Sequence, residues 1–126
     1  VSAGAFVPER GDVIRLEFSP QAGHEQAGSR PALVISPAEY NGKVGLALVM
    51  PITGQAKGYP FEVPVPQGSC VYGVILADQL KSIDWRARGA TRLGHLDRET
   101  LGEAVGRVLA LIDPECEFTS DGTTAG

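Results

Sequence analysis

Cysteine is scarce in this chain, with two among 126 residues, Cys70 and Cys116, and histidine is equally rare, with His24 and His95. The two cysteines lie in loop or tail positions and no Cys-x-x-Cys or His-x-x-x-His spacing occurs, so neither a disulfide framework nor a zinc site is indicated. No apolar run approaches the roughly 20 residues that a membrane-spanning helix needs. Nothing before residue 12 reads as a charged stretch followed by an apolar one, as a secretion signal would. Together these absences lead us to expect a reducing, cytoplasmic setting. A glycine-rich fingerprint ahead of a helix is also missing, as are the parts of a nucleophilic triad, so no cofactor is expected.

A chain of this length reads as one domain, able to bury roughly two thirds of the surface that its unfolded form exposes. The net charge of −4 argues at first against a nucleic-acid partner. Its distribution argues the other way. Between residues 26 and 96 there are seven basic side chains (Arg30, Lys43, Lys57, Lys81, Arg86, Arg88, Arg92) and four acidic ones (Glu39, Glu62, Asp78, Asp84), a balance of +3, while the two ends carry −7. A basic middle between acidic ends can present one cationic face, although an ordinary solvated surface has the same composition.

Along the chain, residues 12–18 alternate, with Ile14, Leu16 and Phe18 on one face and Arg15 and Glu17 on the other, which predicts a half-buried strand. A polar loop, residues 21–29, leads into a second strand at 31–35, whose proline sits at its start. Residues 37–42 read as a connection ending in an Asn-Gly turn, and 44–50 as a central strand buried on both faces. A second polar loop fills 51–60. Residues 61–65 alternate as a strand that Pro64 demotes to an edge, 71–77 form a buried strand and 81–85 a shorter amphipathic one. Residues 86–96 read as a turn with a short strand. Asp97 is placed to cap a helix whose apolar positions are Leu101, Ala104, Val105, Val108, Leu109 and Ile112, with Glu103 and Arg107 spaced for an ion pair. Residues 1–7 form an extension and 113–126 a polar, disordered tail. The expected fold is mainly β, a small and strongly bent antiparallel sheet or barrel with one C-terminal helix.

The chemistry gathers in the loops. Arg30 precedes Pro31 and is thereby pushed towards an extended backbone at the mouth of a buried strand, a fixed base suited to phosphate recognition. Glu25 reads either as a base or as the ion-pair partner of Arg30, and His24 either as a group titrating near neutrality or as a solvated loop residue. Thr53 can donate to a phosphate oxygen or simply end its strand. Asp78 and Gln79 close another strand with polar side chains, where Asp78 can accept a proton, bond a base edge or stabilise a turn. Trp85, followed by Arg86 and Arg88, offers either a stacking surface with cationic flanks or a piece of core. His95 reads as structural, apart from any acidic cluster. Acid, base and cation in loops suit cleavage of RNA by its own 2′-hydroxyl, which needs a base, a donor to the leaving oxygen and positive charge on the phosphorane.

Five segments in order carry a family resemblance: Pro8-Glu9-Arg10-Gly11-Asp12-Val13, Gly23-His24-Glu25-Gln26-Ala27-Gly28-Ser29-Arg30-Pro31, Val49-Met50-Pro51-Ile52-Thr53, Lys57-Gly58-Tyr59-Pro60-Phe61-Glu62-Val63, and the run from Ala77-Asp78-Gln79 through Trp85-Arg86-Ala87-Arg88-Gly89. Over residues 8–112 the chain resembles the MazF/PemK (Kid) toxins. The resemblance implies an SH3-like antiparallel barrel of CcdB type, a homodimer, and a metal-independent, sequence-specific endoribonuclease of single-stranded RNA that leaves 2′,3′-cyclic phosphate and 5′-hydroxyl ends and so halts translation and growth. It implies that Arg30 and Thr53 are catalytic, with Glu25 a supporting acid and Asp78 the acid proposed as base in the Kid branch. That branch's neighbouring arginine is Leu76 here, so the base stays open between Glu25 and Asp78. His24, Gln26, Ser29, Lys57, Gln79, Lys81, Trp85, Arg86 and Arg88 are the expected RNA contacts. A cognate antitoxin with an acidic disordered tail is the implied partner. Two rival readings are a gyrase poison of CcdB type, which shares only the architecture, and a non-catalytic SH3-like binding module.

Overall fold

The computed structural model describes residues 6–18, 28–115, 117–118 and 124–125. Strands β1 (Asp12–Phe18) and β2 (Gly28–Val34) pair antiparallel, with Val13 facing Leu33 and Leu16 facing Arg30. β3 (Ala47–Thr53) is the central strand. It pairs with β2 along one edge and with β5 (Val74–Leu76) and β6 (Lys81–Ile83) along the other. β4 (Glu62–Pro64) lies outside β5, and β7 (Thr91–His95) outside β1, so the order is β4-β5-β3-β2-β1-β7 with β6 also on β3. β4, which carries Pro64, is an edge strand as expected, while Pro31 lies inside β2, which starts at Gly28 and not at 31, and Pro51 lies inside the central β3.

Side-chain alternation sends neighbours in β1, β2 and β3 to two different cores. Val13, Leu33, Met50 and Ile52 pack with Val63, Ile75, Ala104 and Val108 beneath helix α2 (Arg98–Ile112). Ile14, Leu16, Ala32, Val34 and Val49 pack on the opposite face with Ile83 and Trp85. Both faces of the sheet are thus covered. The result is a mainly antiparallel, barrel-like sheet with a C-terminal helix, open between β4 and β7.

Helix α2 follows its sequence signals. Asp97 accepts the N–H of Thr100 at 2.9 Å and its hydroxyl at 2.7 Å, and these bonds hold the Asp97 carboxyl below its ordinary value. Glu103 and Arg107 pair at 3.0 Å, and Arg107 also donates to the carbonyl of Pro60. Ala104 and Val108 are buried, whereas Ile112 remains exposed where the helix overruns the core.

Two expectations are corrected here. Residues 37–42 are not a plain turn, because Ala38–Val44 form a seven-residue helix, α1, closed by Gly45 at φ 85°. The carboxamide of Asn41 makes that helix part of the core: Nδ2 donates to the carbonyls of Pro8 (2.8 Å) and Ser36 (2.9 Å), and Oδ1 accepts the Ser36 hydroxyl. A buried amide with this many partners outweighs the turn preference of Asn-Gly. In consequence β3 begins at Ala47 and reaches Thr53, later than the expected 44–50.

His95 is structural, but it does have an acidic partner: its Nδ1 lies 3.0 Å from Oδ1 of the buried Asp12, which also accepts from Arg92 at 3.2 Å. At the ends of the chain, Phe6 packs edge-on to Trp85 with ring centroids 6.2 Å apart. In the tail, β8 (Glu117–Phe118) and β9 (Thr124–Ala125) pair with one another. The rest of the expected tail beyond residue 115, and residues 1–5 of the extension, lie outside the described residues.

Candidate active site

Strand register assembles the site. Ala32 faces Pro51 across β2 and β3. Two residues further along each antiparallel strand stand Arg30 and Thr53, on the same face because the side-chain period is two. Both line a cleft of about 760 Å³. Sequence separation hid this neighbourhood, whereas strand pairing makes it direct.

The opposite wall comes from an interruption between β5 and β6. Ile52 faces Ile75 and Val49 faces Lys81, so three steps along β3 answer to six along its partner. The excess residues form the 3-10 turn Ala77–Gln79. Ala77 is buried, while Asp78 and Gln79 stand out from the ladder and join the cleft lining, followed by Lys81 at the start of β6.

Loop 54–61 supplies the third wall with Gln55, Lys57 and Tyr59. Its anchor is Glu62, which is 8% exposed. One carboxylate oxygen accepts the N–H of Lys57 and the other that of Gly58, each at 2.8 Å. Gly58 adopts φ 83°, a left-handed conformation that glycine takes without a steric penalty. Arg107, reaching from α2 to the Pro60 carbonyl, ties the far end of the loop down. Tyr59 donates its hydroxyl to Asp78 Oδ1 at 3.2 Å, and the Gln79 side chain also hydrogen-bonds to Tyr59. Desolvation first, and then the Asp78 carboxylate, push the Tyr59 phenol above its ordinary value, so at neutral pH it is a neutral donor.

The cleft therefore offers three cations, Arg30, Lys57 and Lys81, against two carboxylates, Glu62 and Asp78, and Glu62 is committed to backbone N–H groups. Thr53 Oγ1 accepts the N–H of Gln55 at 3.2 Å, which orients the hydroxyl and leaves its hydrogen to donate. An anionic ligand rich in hydrogen-bond acceptors, such as a phosphodiester, suits this arrangement of charge and donors. Among the described residues, no three His, Cys, Asp or Glu side chains group closely enough to hold a metal ion.

Of the residues singled out in the sequence, Arg30, Thr53, Asp78, Lys57, Gln79 and Lys81 come together in the cleft. Ser29, Arg86 and Arg88 do not line it. Ser29 is exposed on β2 opposite Glu17, and Arg88 exchanges hydrogen bonds with the Glu17 backbone. Glu25, His24 and Gln26 lie outside the described residues. Trp85 as a stacking surface is corrected: it is 3% exposed, its indole N–H donates to the Asn41 carbonyl at 3.0 Å, and Arg86 covers the ring at 4.5 Å. A base cannot reach such a ring.

Tyr59 and Glu62 were missed as site residues. Alternation along 61–65 assigns Glu62 to the solvent face, yet its carboxylate is drawn inward by two orphan N–H groups. The signal present was Gly58, a turn residue lying four positions ahead of an acid.

Residues 9–112 match the family of PemK-like, MazF-like toxins of type II toxin-antitoxin systems. The endoribonuclease toxin MazF of Escherichia coli K12 is 52% identical over 107 residues, which is 85% of this chain and 96% of that protein. The crystal structure of MazF from Deinococcus radiodurans superposes with a TM-score of 0.82 at 50% identity, covering 86% of this chain and 98% of that one. A MazE-MazF structure from the same organism gives 0.77 at 44% identity, over 86% and 97%. By sequence and by fold, the chain belongs to the PemK-like, MazF-like toxins.

Proposed function

We propose that this chain is an endoribonuclease toxin that cuts single-stranded RNA in the cleft between Arg30 and Asp78. The observation that carries this reading is the convergence of Arg30, Thr53 and Asp78, from three separate parts of the sheet, on one cationic cleft. The family to which the chain belongs supports the same activity.

Cleavage starts with removal of the proton from the 2′-hydroxyl beside the scissile phosphate, by Asp78 or by Glu25. The resulting oxygen attacks phosphorus, the P–O5′ bond breaks, the departing O5′ takes a proton from solvent water while the protonated base returns its own to solvent, and the products are a 2′,3′-cyclic phosphate and a 5′-hydroxyl. Arg30 remains protonated throughout and stabilises the extra negative charge on the phosphorane, donating to its oxygens. The Thr53 hydroxyl, oriented by Gln55, donates to a non-bridging oxygen. Lys57 and Lys81 attract and position the backbone on either side. No helix among the described residues is long and apolar enough to cross a membrane. The protein acts on messenger RNA in the cytoplasm as a homodimer, and a cognate antitoxin with an acidic disordered tail neutralises it by occupying the cationic cleft.

Incubation of the purified protein with a long mixed-sequence transcript in excess EDTA tests the reading. Fragments ending in cyclic phosphate are expected, at recurrent sequences that also define specificity. An intact transcript would overturn it.

A further inference from the structure

With Trp85 sealed in the core, the cleft needs another surface to hold a base, and the structure supplies one. Tyr72 is 81% exposed, the most exposed aromatic side chain among the described residues. Two glycines fix where its ring lies. Thr53 faces Val74 across β3 and β5, so the turn carrying Tyr72 and Gly73 lies against the end of β3. A Cβ on Gly73 would meet the Thr53 carbonyl oxygen at 2.1 Å, and Gly73 has φ 121°, so only glycine permits this approach. A Cβ on Gly54 would meet the Tyr72 ring at 3.3 Å, so the ring rests against backbone that carries no side chain. Gly54 sits between Thr53 and Gln55, both of which line the cleft.

We propose that Tyr72 is a base-stacking residue, holding the base of a nucleotide that flanks the scissile phosphate as the RNA strand leaves the cleft over Gly54. The proposal rests on the nuclease reading above. A phenol ring presented beside a phosphate-binding hydroxyl pairs the two elements of single-strand recognition, backbone contact and stacking. It carries no charge and reads no base edge, so it tolerates every base and adds affinity rather than sequence choice. Substrate gains a contact one residue from Thr53, and the exposed ring gives up water when it is covered.

The test combines Tyr72 variants with abasic substitutions. Once cleavage sites have been mapped on a transcript, an oligonucleotide spanning one site is prepared with a single abasic spacer at each flanking position in turn. Tyr72→Ala is expected to raise KM roughly fivefold or more, the lower end for one stacked base, with kcat unchanged and with the thermal midpoint of wild type. Tyr72→Phe should cleave like wild type, and Tyr72→Leu, which keeps apolar area without a π-face, should resemble the alanine variant. One abasic position should cost wild type as much as Tyr72→Ala does, and cost Tyr72→Ala nothing further. Equal KM for wild type and Tyr72→Ala, or losses that simply multiply at every abasic position, would overturn the proposal. So would a Tyr72→Ala protein that cuts normally but loosens its hold on the co-purified antitoxin, since the ring would then serve a peptide. A wild type that cuts no transcript overturns the nuclease reading itself, and is distinguishable because it fails before any variant is compared.

Discussion

The Tyr59 hydroxyl and the Asp78 carboxylate meet at 3.2 Å, joining the loop after β3 to the 3-10 turn after β5 and so closing two walls of the cleft on one another. Tyr59→Phe deletes only the donor. Folding should change by less than about 1 kcal/mol, while kcat/KM for RNA falls roughly tenfold as Asp78 loses its orientation. Desolvation first, and then the Asp78 carboxylate, raise the phenol value in the folded protein, so the stability that goes with the neutral phenol is present at pH below the ordinary tyrosine value of 10.0 and is lost as pH rises through the raised value. Ultraviolet difference titration should show a tyrosine step above the ordinary phenol value, and Tyr59→Phe should remove that step. A titration unchanged in the variant would contradict the assignment.

Glu62 holds Lys57 and Gly58 by their backbone N–H groups. Glu62→Ala should cost about 2 kcal/mol by denaturant unfolding and raise KM more than it lowers kcat, because Lys57 then leaves its place in the cleft lining. Glu62→Gln retains one acceptor and should recover about half of the stability. Unaltered KM in Glu62→Ala would show that the loop is held in other ways.

Trp85 is bonded to the Asn41 carbonyl within the second core. Native fluorescence should therefore be blue-shifted and poorly quenched by iodide. Trp85→Phe should cleave RNA with the wild-type KM while losing stability, and Trp85→Ala should lose about 3–5 kcal/mol. A stable Trp85→Phe protein with weakened RNA binding would restore the tryptophan as a contact.

Gly73→Ala forces a Cβ towards the Thr53 carbonyl at a backbone angle that alanine rarely adopts. The strain should cost more than about 1 kcal/mol, and because Thr53 moves with it, kcat should fall as well. A variant with wild-type melting and kcat would show that the turn is not tied to the end of β3.

The sequence made most of the strands, the capping aspartate and the chemistry at strand ends legible. The buried strand expected at 71–77 is only Val74–Leu76, because Tyr72 and Gly73 form a turn before it and Ala77–Gln79 a 3-10 turn after it, and β2 runs Gly28–Val34 where 31–35 was expected. Ile14, Leu16, Arg15 and Glu17 show their alternation, Asp97 stands where a helix must begin, and Arg30 is set apart by the proline after it. Long-range consequences of pairing were less visible. The register that sets Arg30 across from Thr53, and the three-residue excess that pushes Asp78 and Gln79 outward, appear only once β3 has its partners. Glu62 and Asn41 escaped notice for a common reason: each is a polar residue turned inward by backbone groups that need a partner, and hydrophobic periodicity does not register that need. Trp85 could serve as core or as a surface on sequence grounds, and the packing of Phe6, Asn41 and Arg86 around it decides for core.

Cleavage of a single mapped site in two forms, one all RNA and one with the nucleotide 5′ of the scissile bond lacking its 2′-hydroxyl, tests the central claim most directly when wild type and Arg30→Ala are compared under single turnover. The all-RNA strand should be cut by wild type and cut about 100- to 1,000-fold more slowly by Arg30→Ala, whose exposed position on β2 leaves folding intact, and the deoxy strand should survive both. Cutting of the deoxy strand at the wild-type rate, or an Arg30→Ala protein as fast as wild type, would contradict the account.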